Sequence, residues 1–309
     1  MMNYRILIFS IASAAATSAF AQTYTIHEIP AGLPLLSSPV CYSVNDKGDF
    51  LITQFIANGP GTAFVWDGKN LTAVPANSGD TLYAINNLGN FVGLGNNGSY
   101  FQDKSGKQTA ITSPNGDGLY VNNLNNKNIA CGQANTSAGG EYGFLWNAGT
   151  VTAFNYPNEP KCSIYGLNDK GDFVGSFIDA QGTYHAFTDR SGKAAELKIS
   201  GYTLGFMAAI NNGGTAVGTA TIVGNSNYYV AVVAPVKGVP KTYDWSNSGA
   251  PKAIPGPKGP LTMLPTNAAT NFWSISNTGT ISGQFSAGYQ SDAAGVTISL
   301  PIKATVGGS

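Results

Sequence analysis

Apolar residues in this chain come in short bursts separated by Gly- and Asn-rich stretches. No segment sustains the 3.6-residue period of an amphipathic helix. Short apolar runs bounded by turn-forming residues predict β-strands joined by many tight turns. The chain is therefore read as all-β.

The turns recur with one pattern. Val44-Asn45-Asp46-Lys47-Gly48-Asp49-Phe50-Leu51 is followed by Ile85-Asn86-Asn87-Leu88-Gly89-Asn90-Phe91-Val92-Gly93. A degenerate copy runs from Leu124 to Gly132, and Leu167 to Gly175 nearly restates the first. Two more copies run from Ile210 to Gly218 and from Ile275 to Gly283, the last with Ser276 for the first Asn. Positions 45, 86, 125, 168, 211 and 276 lie 41, 39, 43, 43 and 65 residues apart. A period near 40 without helices matches one four-stranded blade of a β-propeller, which predicts about six blades.

Each unit divides into four strands. The first ends at the apolar-Asn pair, and the x-x-Gly that follows makes a tight turn, with Gly free to take positive φ. Phe-Val-Gly or its equivalent forms the second. The third carries aromatic core residues, as in Ala63-Phe64-Val65-Trp66, Gly143-Phe144-Leu145-Trp146 and His185-Ala186-Phe187. The fourth is short and rich in Thr or Ala, as in Leu71–Val74 and Thr150–Phe154. The extra length in the last interval is read as a long loop around residues 240–270, with a degenerate seventh blade as the alternative.

Met1–Ala21 reads as a removable export signal. It has one positive charge at Arg5, a short apolar run from Ile6 to Ala16, and small residues at Ala19 and Ala21. The run is too short for a permanent membrane span. The mature chain is expected to be a single propeller domain over residues 22–309, secreted or periplasmic, without membrane insertion. Tyr24–Ile29 resembles an unpaired fourth strand, and the last repeat supplies three. The N-terminal strand would then complete the last blade and protect both edges.

Ile-Asn-x-x-Gly-x-x-Val-Gly followed by Ala-Phe-x-Trp or His-Ala-Phe resembles the bacterial extracellular HAF-repeat family. The resemblance covers nearly the whole mature chain, and the literal triplet occurs once, at His185-Ala186-Phe187. It implies an exported, propeller-like repeat protein. It carries over no catalytic residues.

Charge is scarce and balanced, with 16 basic and 16 acidic residues. Removing the signal leaves Arg190 as the remaining arginine. Without Arg clusters to match phosphates, nucleic acid and anionic membrane surfaces are poor partners. Cys41, Cys131 and Cys162 allow one disulfide in an oxidising compartment. Cys131 stands where other repeats carry Val, so it reads as a small buried hydrophobe. This favours Cys41–Cys162 among the three pairings, which stay open.

The candidate chemistry is thin. Asn45–Asp49 and Asn168–Asp172 superficially resemble calcium loops, but each puts Lys among the would-be ligands and lacks a bidentate Glu, so turn formation is the better reading. His27 and His185 are far apart and give no zinc spacing. His185 reads as blade packing or surface, and no nucleophile elbow or phosphate loop is present. Neither a catalytic residue, nor a metal site, nor a cofactor is assigned. Asp80, Asp117, Glu141 and Glu159 lie in expected loops and are the carboxylates an enzyme would draw on.

One further pattern concerns binding. Three residues before each motif Asn or Ser stand Tyr42, Tyr83, Asn122, Tyr165, Ala208 and Trp273. The first strand of a blade lines the central channel, so Tyr42, Tyr83, Tyr165 and Trp273 form an expected ligand-binding ring at its mouth. Aromatic faces stack on sugars while Asn side chains bond hydroxyls. The competing role for these rings is packing between blades. The chain is thus read as a non-enzymatic binding module for a polysaccharide or a surface protein. The alternatives are a glycoside hydrolase or lyase using loop carboxylates, and a structural component of the cell surface or matrix. The oligomeric state is left open.

Overall fold

The computed structural model describes residues 40–54, 62–75, 80–222, 225–236, 240–243, 253–256, 259–263, 269–291 and 294–305. The export signal and the Tyr24–Ile29 strand lie outside the described residues. All regular structure within them is β, and none of them forms a helix.

The chain winds into successive antiparallel sheets, each in sequence order. The first contains β1 (Val40–Val44), β2 (Phe50–Gln54), β3 (Thr62–Trp66) and β4 (Leu71–Ala73). The second contains β5 (Thr81–Ile85), β6 (Phe91–Gly95), β7 (Gly98–Gln102) and β8 (Gln108–Ala110). The same path is followed by β9 (Gly118–Leu124), β10 (Ala130–Asn135), β11 (Glu141–Asn147) and β12 (Thr150–Phe154). It is repeated by β13 (Lys161–Leu167), β14 (Phe173–Ile178), β15 (Tyr184–Arg190) and β16 (Lys193–Glu196). A single parallel bridge, Glu141 to Lys161, joins these last two sets. Next come β17 (Tyr202–Ile210), β18 (Ala216–Ile222), β19 (Asn225–Ala234) and β20 (Lys241–Tyr243).

The C-terminal part differs from the long loop expected around 240–270. Besides β20, this stretch carries a hairpin of β21 (Ala253–Gly256) and β22 (Gly259–Met263). β22 pairs with the far end of β24 (Thr280–Ser291). β24 is flanked by β23 (Ala269–Ile275) and β25 (Ala294–Thr305). Extra chain between repeats has thus extended one sheet.

The hydrophobic core lies between adjacent sheets. One cluster joins Ala84 and Val92 of the second sheet to Leu119, Val121, Phe144 and Trp146 of the third. Another joins Cys131 to Ile164, Phe173, Phe177 and Phe187, and a third joins Val174 and Ala186 to Met207, Ile210 and Val232. Phe144 and Phe187, both from the expected aromatic third strand, are fully buried. Burying each contributes about 2–3 kcal/mol. The first sheet in turn meets β23 and β24, so the array returns on itself. Sheets stacked face to face around a ring, first strands innermost, are the layout of a β-propeller.

The repeated turn takes the expected form. Gly48, Gly89, Gly171, Gly214 and Gly279 have positive φ, between 77° and 90°. The degenerate third copy puts Asn128 at this position, with φ 61°, and Asn is the residue that tolerates the left-handed region best after Gly.

Candidate functional site

Two layers of side chains surround the channel, one on the turns just past the first strands and one within those strands, two residues before their last residue. At the motif end, each leading Asn folds its own turn and reaches into the next. Asn45 Oδ1 accepts from the N–H groups of Lys47 and Asp49, both at 3.0 Å. Its Nδ2 donates to the Asn86 carbonyl at 3.3 Å. Asn86, Asn125, Asn168 and Asn211 repeat the link to the following repeat. Ser276 instead turns its hydroxyl to Thr278 and to the N–H of Thr280.

The second motif residue builds a closed ring. The N–H of Asp46 donates to Asn87 Oδ1, Asn87 N–H to Asn126 Oδ1, and Asn126 N–H to Asp169 Oδ1, each at 2.8 Å. Asp169 N–H then donates to Asn212 Oδ1, Asn212 N–H to Asn277 Oδ1, and Asn277 N–H to Asp46 Oδ1. The Asn side-chain amides turn toward the two acids. Asn87 and Asn277 both donate to Asp46 Oδ2, and Asn126 and Asn212 both donate to Asp169 Oδ2. Burial opposes ionisation of Asp169, but these donors outweigh it and hold its carboxyl below the usual range. The would-be calcium ligands thus serve the turns and the ring. The recess they enclose is about 50 Å³. That is room for a few water molecules and far below the ~300 Å³ of a typical ligand pocket.

The second layer lies three residues earlier on the first strands, about 10 Å away at strand rise. Here Tyr42, Tyr83, Asn122, Tyr165, Ala208 and Trp273 each occupy the extra residue of a β-bulge. A bulge breaks the alternation of the strand and re-aims one side chain. Tyr42, Tyr83, Tyr165 and Trp273 are all half-buried. Tyr42 meets Tyr83 edge-on at 5.5 Å. The gap left by Ala208 is filled by Phe206, a residue the sequence reading missed. Its ring lies 5.4 Å from Tyr165 and stacks on Trp273 at 6.0 Å. It stands two residues upstream of Ala208 on β17. Asn122 completes the collar and donates Nδ2 to the Ile164 carbonyl at 2.9 Å. Burial, then the neighbouring Tyr83, raises the Tyr42 phenol to about 12.

The other candidates go to separate places. Buried Asp80 accepts from Gln108 Nε2 at 3.2 Å and lies against Gly95. Asp117 accepts from Tyr142 Oη at 2.6 Å and Ser113 Oγ at 3.2 Å. Glu141 accepts from Ser163 Oγ at 2.5 Å, and half-buried Glu159 sits on the turn closed by its own N–H to the Tyr156 carbonyl. Asp80, Asp117 and Glu141 thus each serve a separate local network. His185 lies between Asp179 and Glu196 on the fourth set of strands, and His27 lies outside the described residues.

The cysteine pairing is corrected. Cys41 on β1, Cys131 on β10 and Cys162 on β13 are all free and buried. Cys162 Sγ instead donates to the Phe154 carbonyl and accepts from Gly143 N–H. Cys131 is the buried small hydrophobe its repeat position indicates.

No protein-family model and no curated protein sequence matches the chain. Among solved structures it is similar to TolB from Acinetobacter baumannii, at 14% identity and a TM-score of 0.50, over 88% of this chain and 65% of that one. A gluconolactonase from Xanthomonas campestris gives 10% identity and a TM-score of 0.49, over 88% and 86% of the two chains. The fungal lectin of Aleuria aurantia, a six-bladed β-propeller with a fucose recognition mode, gives 9% and 0.42, over 87% and 96%. The likeness to TolB bears on the fold alone.

Proposed function

We propose that this chain is an exported, non-enzymatic β-propeller of the HAF-repeat kind that binds neutral glycans on its aromatic collar. In this reading it has six four-stranded blades, the last completed by the N-terminal strand Tyr24–Ile29.

The collar carries the proposal. Four half-buried rings and one amide stand around one channel at matched positions, Phe206 fills the place of Ala208, and none of them is charged. Sugar C–H faces stack on such rings, and hydroxyls bond to the amide and phenol groups. One ring contributes about 0.5–1.5 kcal/mol. The two or three rings that a sugar can touch therefore give about 1–4.5 kcal/mol, an affinity of roughly millimolar at its tightest. Asp80, Asp117 and Glu141 support this choice over hydrolysis, because each is committed to a different hydrogen-bond network.

A glycan-array screen of the purified protein, repeated with Trp273→Ala, tests the reading. Selective binding of uncharged glycans, lost in a folded variant, is the expected result. A blank array, or binding indifferent to Trp273, returns the collar to a packing role.

A further inference from the structure

His185 is the histidine of the single literal His-Ala-Phe triplet, and the corresponding positions of the other repeats have no histidine. It begins β15. Its Nδ1 lies 2.9 Å from Glu196 Oε1 on β16, and its Nε2 lies 3.0 Å from Asp179 Oδ2 on the turn entering β15. Both partners are carboxylate oxygens, which accept and do not donate when ionised. A neutral imidazole has one N–H and can satisfy one of them, leaving a lone pair facing the other oxygen. Only the imidazolium satisfies both contacts.

The surroundings suit that state. The ring stacks on Phe177, centroids 4.9 Å apart and planes 12° apart, and Phe177 stacks on Tyr156 at 4.0 Å. An aromatic face attracts a cation. The other groups facing the cluster are Lys198, whose Nζ lies 2.9 Å from Glu196 Oε2, and Tyr156 and Glu159 from the β12–β13 connection. Asp179 Oδ1 closes its own turn by accepting from the N–H groups of Gln181 and Thr183, so moving Asp179 moves the turn.

We propose that His185 is a proton-operated clasp, fastening the β14–β15 turn to the end of β16 while its ring carries both N–H protons. Deprotonation releases one arm. The result is a rim on the fourth set of strands that is tight in mildly acidic surroundings and loose in alkaline ones.

The ionisation tendencies agree in direction. Burial alone would lower the His185 value, but the bonds to Asp179 and Glu196 outweigh it and raise it above 6.5. Asp179 is lowered first by its bond to His185. Glu196 is raised by burial but lowered on balance by Lys198 and His185. A raised histidine contributes stability that is complete below 6.5 and lost as pH rises through its folded value. The lowered acids contribute above 3.8 and 4.5 and lose this as pH falls through their folded values. The clasp is therefore fully closed between about pH 4.5 and 6.5.

The test is a pH titration of the whole protein by NMR, following the histidine ring signals together with amide exchange in residues 179–183 and 193–198. His185→Gln assigns the ring signal and retains at most one arm. The expected result is a His185 midpoint above 6.5, with loss of amide protection through that same midpoint. Protection should become pH-independent in His185→Gln, and the midpoint should fall in Glu196→Gln. A midpoint at or below the ordinary histidine value overturns the proposal. So does a raised midpoint with unchanged amide protection, because the histidine would then titrate without fastening anything.

Discussion

Asn277 and Asp46 stand 231 residues apart and are joined by two hydrogen bonds, from the Asn277 N–H to Oδ1 and from its side-chain amide to Oδ2. The first and last copies of the turn meet there, so this contact closes the ring that the other copies build pairwise. Asp46 also accepts from Asn87, which makes it an acceptor for three donors. Asp169, three repeats further on, likewise accepts three.

Asp46→Ala and Asp169→Ala should therefore cost similar stability, about 2 kcal/mol each once water is allowed to replace part of the lost bonding at these half-buried groups. Urea unfolding measures it. The two variants should differ in place. Asp46→Ala should speed amide exchange at Val44–Lys47 and Ser276–Thr278, across the seam between chain ends, while Asp169→Ala should leave that seam protected. Equal exchange at the seam in both variants would mean that the ring does not hold the ends together. Asp169 adds a pH limb. Its carboxyl is depressed, so its contribution is complete above 3.8 and is lost as pH falls through the lower folded value.

Most of this ring was legible in the sequence as a repeated turn and not as a ring. Spacing shows that Asn45, Asn86, Asn125, Asn168 and Asn211 recur, and turn chemistry explains Asn followed by Gly. That Asp46 bonds Asn87 and Asn277 depends on how neighbouring sheets are placed, which one repeat does not encode. The aromatic positions were visible by the same counting. Their bulges were not, because a bulge leaves no fixed residue signature, and Phe206 escaped for that reason. The β21–β22 hairpin was hidden by Pro255 and Pro260, residues that argue against a strand except at an edge.

The glycine that ends the motif should tolerate no side chain. A Cβ on Gly175 would lie 1.9 Å from the Ser163 carbonyl and 3.0 Å from Phe187 Cε1. Gly93, Gly132 and Gly218 meet the carbonyls of Thr81, Tyr120 and Phe206 in the same way. In each of these four repeats the carbonyl stands two residues before the bulge, so the glycine makes room for it there, whereas the first repeat holds its Tyr42 bulge with buried Ile52 at this position. Gly175→Ala should cost about 1–3 kcal/mol in denaturant unfolding, toward the upper end because backbone cannot rotate aside. Gly205→Ala, with nothing within 4 Å, is the control and should change stability little. Equal effects would sink the crowding argument.

The cysteines should behave as packing residues. Burial pushes the Cys41 thiol up to about 12 and raises those of Cys131 and Cys162. The reactive thiolate is correspondingly rare. Thiol reagents should label the native protein slowly and reach all three sites once it is unfolded without reductant. A label count of one under those conditions would reveal a disulfide instead.

Phe206 offers the sharpest separation of packing from binding in the collar. It touches Tyr165 and Trp273, so deleting its ring removes two aromatic contacts while leaving the bulges in place. A double-mutant cycle between Phe206→Ala and Trp273→Ala should give a stability coupling of about 0.5–1.5 kcal/mol. The same cycle run on glycan affinity asks a different question. If Phe206 only supports Trp273, Phe206→Ala should weaken binding in the wild-type background and have no further effect in Trp273→Ala. If Phe206 touches the sugar itself, the losses should add. Coupling in stability with affinity unchanged would leave the rings as wedges that hold neighbouring first strands apart, with the ligand face elsewhere.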